Sequence, residues 1–267
     1  DGYFQYFNPS GDNLIGLSSR SSGRVSSFFG TELILGSYLS RMWPIFFGLS
    51  ILLINKKNNM FFLLILLFIL SEALIFLSGE RAAFFFINLS AIFVIILSNK
   101  ILKLRSITLI LSLLLIIGIS YLNPAAKNRI IDQTLSEMNL IKDDENKNKK
   151  INLFTSKHTE HYISAYKMFL DNKILGVGVK NFRNFCGETE YKSAHSCSTH
   201  PHNIYIQLIS ETGIIGFSLF LFVFIFFCYF VIKHLIIKFK KNFYFTDFEI
   251  CILSGLLIYL WPIVPTG

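Results

Sequence analysis

Apolar residues in this chain come in long unbroken blocks rather than in alternation. Residues 106–126 and 212–232 each run through 21 positions without a charge, and residues 82–99 through 18. Asn59–Leu77 is as apolar but contains Glu72. Residues 250–267 are uncharged to the end, and residues 32–54 are interrupted by Arg41 and Pro44. About 20 apolar helical residues cross a hydrocarbon core of about 30 Å. The pattern therefore predicts an all-α polytopic membrane protein with about six transmembrane helices, the first and last being the weakest. A buried helix of a soluble protein reads the same way, but four or five such runs in one chain argue against it.

The polar gaps orient the predicted spans. Lys56 and Lys57 lie in the first gap, Lys100, Lys103 and Arg105 in the next alternate one, and Lys233, Lys238, Lys240 and Lys241 in the third. These gaps are separated by pairs of spans and contain no acid, so the positive-inside rule makes their side cytoplasmic. The opposite side receives residues 1–31, the turn 78–81 and a long loop, 123–203. Three segments follow: residues 1–122, with an N-terminal external segment and helices; the loop 123–203; and the helices of 204–267. Within the loop, residues 142–150 are a charge-dense Asn/Lys-rich run that reads as a solvated linker. Residues 155–171 read as an amphipathic helix, with Ile163, Tyr166, Phe169 and Leu170 at helical spacing. Asn172 and Gly176-Val177-Gly178 end it. Such a helix suits a membrane surface or the cap of a bundle.

Composition agrees. Of 267 residues, 52% are hydrophobic and only 16% charged, too few charges to cover a soluble surface. The net charge of +8 is a topology signal, because the three cytoplasmic gaps account for it and the remainder is near neutral. It gives no support to nucleic-acid binding. The chain begins at Asp1 and ends in Trp261-Pro262-Ile263-Val264-Pro265-Thr266-Gly267, inside an apolar stretch. That reads as a piece of a longer protein.

Ionisable residues at membrane depth or at its edge are expensive and need a reason. Ser78-Gly79-Glu80-Arg81 forms a tight turn between two spans. The planar fork of Arg81 suits a phosphate, while the plainer reading is a snorkelling cation paired with Glu80 or Glu72. Arg24, in Ser22-Gly23-Arg24-Val25, stands before an aromatic segment and suits an anionic headgroup or simply solvent. His195, His200 and His202 close the long loop. A neutral imidazole there is a candidate general base. Zinc ligation and an ordinary loop are the other readings, and the spacing matches no standard zinc motif. Cys186 and Cys197 lie in the same loop, and a bridge between them is a candidate disulfide in an oxidising compartment. Cys228 and Cys251 read as packing residues in spans. No P-loop, dinucleotide fingerprint or nucleophile-elbow motif occurs.

Together these motifs resemble the O-antigen ligase and O-antigen polymerase superfamily of bacterial inner-membrane glycosyltransferases. The resemblance rests on the Arg24 segment before a span, on Ser78-Gly79-Glu80-Arg81 after one, and on Gly176-Val177-Gly178-Val179-Lys180-Asn181-Phe182. Its most specific part is His200-Pro201-His202-Asn203 running on to Glu211-Thr212-Gly213. It implies a GT-C-like membrane enzyme that takes a glycan from undecaprenyl pyrophosphate on the periplasmic side. The glycan would pass to lipid A-core or to a lipid-linked glycan acceptor, with no metal and no other cofactor. Carried over by motif, the catalytic residues are Arg24, Arg81 and His202, with His200 as fallback. Asn203 would orient the imidazole, Glu211 would sit below it, and Arg41 would reach the pyrophosphate. Glu80 departs from the family pattern, and pairing with Arg81 would weaken anion binding. The alternative from another class is a flippase or transporter of a lipid-linked anionic glycan, with Arg41 and Glu72 as pathway residues.

Overall fold

A computed structural model of the chain describes residues 1–8, 10–18, 24–53, 59–122, 124–140, 152 and 154–264. Lys56 and Lys57, Ser22-Gly23, the linker 142–150 and Pro265-Thr266-Gly267 lie outside the described residues. The described chain is mostly helical. In order, its helices are α1 (Gly2–Phe7), α2 (Leu35–Leu53), α3 (Asn59–Leu77), α4 (Arg81–Leu97), α5 (Leu102–Leu122) and α6 (Pro124–Lys127). A π-helical turn, Asn128–Asp132, precedes α7 (Gln133–Glu137), α8 (Ser156–Asp171), α9 (Phe182–Phe185), α10 (Ile204–Phe239) and α11 (Asp247–Leu260). Helices thus occupy all six apolar blocks. Two of them, α5 and α10, are long and apolar enough to cross a membrane. The α10 window buries only 6% of its residues. An apolar helix so exposed is no soluble core helix, and lipid is the surround that suits it.

The chain forms two compact units: Asp1–Thr134 with His234–Tyr259, and Leu135–Lys233 with Leu260–Gly267. In the first, α2 packs on α3 and α4, and α5 packs on α3 and α4. Its core joins Val25, Leu35, Ala73, Phe76 and Leu77 to Ile116, Ala126 and Ile130. The first unit also corrects the reading of Arg105. Expected in a cytoplasmic gap, Arg105 is fully buried in the first turn of α5, with Nη1 2.7 Å from Glu72 Oε1. Ser112 donates to the other Glu72 oxygen, and the Arg105 guanidinium lies 4.1 Å from the Trp43 ring centre. The acid that interrupts the apolar block of α3 thus has a partner one helix away, which periodicity within a single helix does not reveal. Lys233 and Lys238 likewise lie in α10 rather than in a loop, and Lys238 donates to the carbonyls of Ile96 and Ser98 at 2.6 and 2.8 Å. Those are the orphan carbonyls where α4 ends, and a cation suits them.

In the second unit, α8 forms where the sequence predicts it, but its buried face is the other one. His161, Ser164, Ala165 and Met168 turn inward, and Ala165 and Met168 pack with Phe182, Cys186 and Tyr191. Ile163, Tyr166 and Leu170 stay exposed. Small side chains let the 182–197 segment approach the helix closely, and the apolar stripe is left for a membrane interface. Periodicity finds the stripe but not what covers it.

Removing one member of a buried ion pair leaves an uncompensated charge. Glu72→Ala should therefore lower stability by about 3–5 kcal/mol, and Glu72→Leu with Arg105→Met should recover most of it. Thermal unfolding in detergent micelles reads this, and a neutral Glu72→Ala would contradict the pairing.

Candidate functional site

The first cluster is built on the turn that joins α3 to α4. A helix leaves its last carbonyls unsatisfied, and at a membrane edge water alone is a poor remedy. Here Leu77 O accepts from Val25 N at 3.4 Å, Ser78 O from Arg24 Nε at 2.8 Å and Gly79 O from Arg129 Nε at 2.9 Å. Gly79 has φ 69°, and a Cβ there would sit 3.0 Å from Arg129 Cδ and 3.2 Å from Arg24 Nε. Glycine therefore makes room for both side chains. Burial and the neighbouring Arg129 push the Arg24 guanidinium below its usual pKa, with Glu80 opposing them.

Arg81 opens α4, half-buried, with Glu80 as N-cap residue. A cation in the first turn opposes the helix dipole, so its place there is not explained by helix stability. Glu80 serves a neighbouring helix. Its carboxylate accepts from Gly36 N at 2.6 Å, Ser37 N at 3.0 Å and Ser37 Oγ at 2.5 Å, capping the start of α2. Arg41 lies over the Tyr259 ring at 5.6 Å, a packing contact within the first unit.

The second cluster gathers four imidazoles in the other unit. His202 has ring-centre distances of 4.3 Å to His200, 5.5 Å to His158 and 5.6 Å to His161. His202 holds φ 59°, a left-handed conformation uncommon without glycine and frequent at functional sites. The buried His161 has Nδ1 3.0 Å from Ser196 O. A carbonyl only accepts, so that nitrogen carries the proton and Nε2 is the acceptor when the ring is neutral. Burial pushes the nearby Tyr162 phenol up to about 12, which removes it as a base at neutral pH. His195 is held apart, its backbone N–H donating to Glu160. Among the described residues, no three of His, Cys, Asp and Glu converge as metal ligands. Cys186 and Cys197 are joined in a disulfide with Cα atoms 5.1 Å apart, and Ser196 Oγ donates to Cys186 O at 2.9 Å. The bridge fixes the segment that carries Ser196 and hence the ring of His161. A cavity of about 380 Å³ beside it is lined by Lys157, His161, Lys192, His195 and Ser196 among others.

The glycine motifs are explained by backbone contact. Val177 N donates to Ser210 O at 3.0 Å, Gly178 N to Glu211 O at 2.9 Å and Ile214 N to Lys173 O at 2.9 Å. Gly213 kinks α10 with φ 61° and ψ −163°. A Cβ on Gly213 would collide with Ile174 O, and one on Gly176 with the Glu211 carbonyl. Buried Glu211 accepts from Phe182 N at 3.2 Å and from Gln207 Nε2 at 3.1 Å. It anchors α9 to α10. Asn203 caps α10, accepting from Tyr205 N and Ile206 N at 3.0 and 3.2 Å, while its Nδ2 donates to Pro262 O at 2.7 Å. Asn203 thus ties the start of α10, next to His202 in sequence, to Pro262. Tyr205 donates to Leu260 O at 2.6 Å, so the Trp261-Pro262 segment belongs with the His motif.

A family model described as O-antigen ligase matches residues 61–221, more than half of the chain. The chain belongs to the O-antigen ligase family. No curated protein and no solved structure matches it. Membership of the O-antigen ligase family places the chain among membrane-associated proteins of O-antigen ligase or polymerase type, which act on lipid-linked glycans. The matched stretch includes Arg81, Arg129 and the four histidines, and leaves Arg24 and Arg41 outside it.

Sequence reasoning missed three residues that the structure brings to these clusters. His158 and His161 stand three apart on one helix, a spacing that places them on one face and would have flagged them. Arg129 follows the α5 block with no motif around it, and only the tertiary contact with Gly79 reveals it. If the backbone contact at the kink holds α10 to the 173–178 segment, Gly213→Ala should loosen that segment. Trypsin should then cut at Lys173 and Lys180 in the folded variant and spare the wild type. Equal resistance of the two would contradict the account.

Proposed function

We propose that the chain transfers a glycan from undecaprenyl pyrophosphate to a sugar hydroxyl, on lipid A-core or on another lipid-linked glycan. The observation that carries the reading is that one family match covers both the arginine-bound turn and the histidine cluster. The reaction has two demands. As the glycosidic bond breaks, negative charge grows on the departing diphosphate, and preorganised cations in a partly dry site stabilise it. Arg24 and Arg81 take that role, because a guanidinium stays charged and binds phosphate oxygens in pairs. The acceptor hydroxyl must lose its proton as its oxygen attacks the anomeric carbon. His202 takes that proton, since a neutral imidazole titrates near the working pH. His200 is the substitute if the adjacent ring faces the acceptor. One displacement on the anomeric carbon gives inversion, and neither demand calls for a metal.

The architecture belonging to this reading is a six-span, GT-C-like bundle in the bacterial inner membrane. Lys100, Lys103, Lys240 and Lys241 lie on the cytoplasmic side and the 123–203 segment in the periplasm. The Cys186–Cys197 bridge supports this orientation, because disulfides persist in oxidising compartments. The cavity beside His161 is lined by Lys157, Lys192, Ser193, His195 and Ser196 among others, side chains able to hydrogen-bond an acceptor sugar. The transporter alternative draws less support, since Glu72 is paired with Arg105 and Arg41 packs on Tyr259.

His202→Ala should reduce transfer by about 10²–10⁴-fold, the usual contribution of a general base. Arg81→Ala should do likewise, with membrane insertion and protein level unchanged in both. The check is a transfer assay in membranes of cells producing each variant in its natural full-length context. Wild-type activity in His202→Ala would sink the assignment of the base.

A further inference from the structure

The turn that follows α8 holds its apolar side chains outward. Ile174 is 66% exposed, Leu175 71% and Val179 71%, with Gly176, Val177 and Gly178 between them. Lys173 and Lys180 bracket this tip, and residues 172–187 contain Lys173, Lys180 and Arg183 with no acid. The tip also continues the stripe of α8. Ile163, Tyr166 and Leu170 are exposed at helical spacing, and Ile174 follows four residues on.

The place of the tip is fixed by α10, through residues of the same unit. Ile214 N donates to Lys173 O at 2.9 Å and Ile215 N to Ile174 O at 3.4 Å. Ile214 and Ile215 are themselves exposed, and Leu219, Phe222 and Phe226 carry that apolar surface on along the helix. The charge-free run of α10, residues 212–232, has the length of one hydrocarbon crossing, so Gly213 marks the edge where the helix enters lipid. Ile174 and Leu175 extend the lipid-facing surface sideways at that edge.

Irregular backbone enters a membrane only where its polar groups have partners within the protein. The tip is built that way. Gly176 N donates to Asn172 O at 2.9 Å, Val177 N to Ser210 O at 3.0 Å and Gly178 N to Glu211 O at 2.9 Å. Asn181 Nδ2 donates to Val177 O at 2.9 Å, and the carbonyls of Lys173 and Ile174 are taken by α10. The turn thus presents apolar side chains on a backbone held within the unit.

We propose that residues 174–179 form a membrane-inserted tip. Ile174, Leu175 and Val179 reach about 5–10 Å into the boundary between headgroups and acyl chains, and Lys173 and Lys180 meet the lipid phosphates above them. The occupant of this surface is the lipid bilayer, because the surface is continuous with the lipid-facing side of α10 and its rim is cationic. The inference does not depend on the proposed transfer function.

The test uses the full-length protein in phospholipid vesicles, with Cys228→Ala, Cys251→Ala and a spin label on Leu175→Cys or Val179→Cys. Oxygen, which concentrates in lipid, and a water-soluble nickel chelate are compared as relaxants of the label. Oxygen should prevail at both positions, and the nickel chelate at Thr189→Cys, an exposed site elsewhere in the unit. Adding Ile174→Glu should reverse the preference at Leu175→Cys, because a charge is costly in lipid and draws the tip out. Ile174 is largely exposed, so its replacement removes no core packing. Nickel access at Leu175→Cys equal to that at Thr189→Cys would overturn the proposal and mark a solvated loop. A label screened from both reagents would overturn it too, marking a surface covered by a second copy or by another part of the protein.

Discussion

A helix must give its last carbonyls partners, and at the end of α3 the side-chain partners are cations. The carbonyls of Ser78 and Gly79 accept from Arg24 and Arg129, and the next side chain, Glu80, caps the start of α2. One turn thus ties together the 24–25 segment, α2, α3, α4 and the π-helical turn after α5. The same contacts that satisfy the backbone fix two guanidinium groups in place. The proposed hold on a diphosphate would draw on this order, because arginines fixed by capping need no further arrangement.

The second unit solves a different problem, holding short irregular segments still with little core. It does so by backbone contact and a covalent link. Gly176 and Gly213 allow the main chain of 173–178 to lie against α10, and Glu211 secures α9 to the same helix. The disulfide binds 186 to 197, and Ser196 passes that constraint to the ring of His161. His202 stands among three other imidazoles in a left-handed conformation that its surroundings impose.

Much of this was legible in the sequence because it depends on local pattern. Blocks of apolar residues marked all six long helices, and the motif residues Arg24, Arg81 and His202 fall in the two clusters. Cys186 and Cys197, close in sequence, form the bridge. What stayed hidden depends on partners far along the chain. Arg105 read as a topology charge because its acid, Glu72, lies in another helix. Arg129 read as loop because its partner is Gly79. The packed face of α8 escaped notice because it is built of small residues, which are silent in a periodicity count. Asn203 and Glu211 stood out in the motif, and the backbone that each holds, at Pro262 and at Phe182, lies far along the chain.

The central claim is that this architecture forms a glycosidic bond rather than merely moving a lipid-linked glycan. The most direct measurement reconstitutes the full-length protein in vesicles with a lipid-linked glycan donor and an acceptor glycolipid. Products are then followed by mass spectrometry. The account predicts acceptor lengthened by the donor's glycan, with undecaprenyl pyrophosphate released in equal amount. Translocation of intact donor across the bilayer, with no new glycosidic bond, would contradict it.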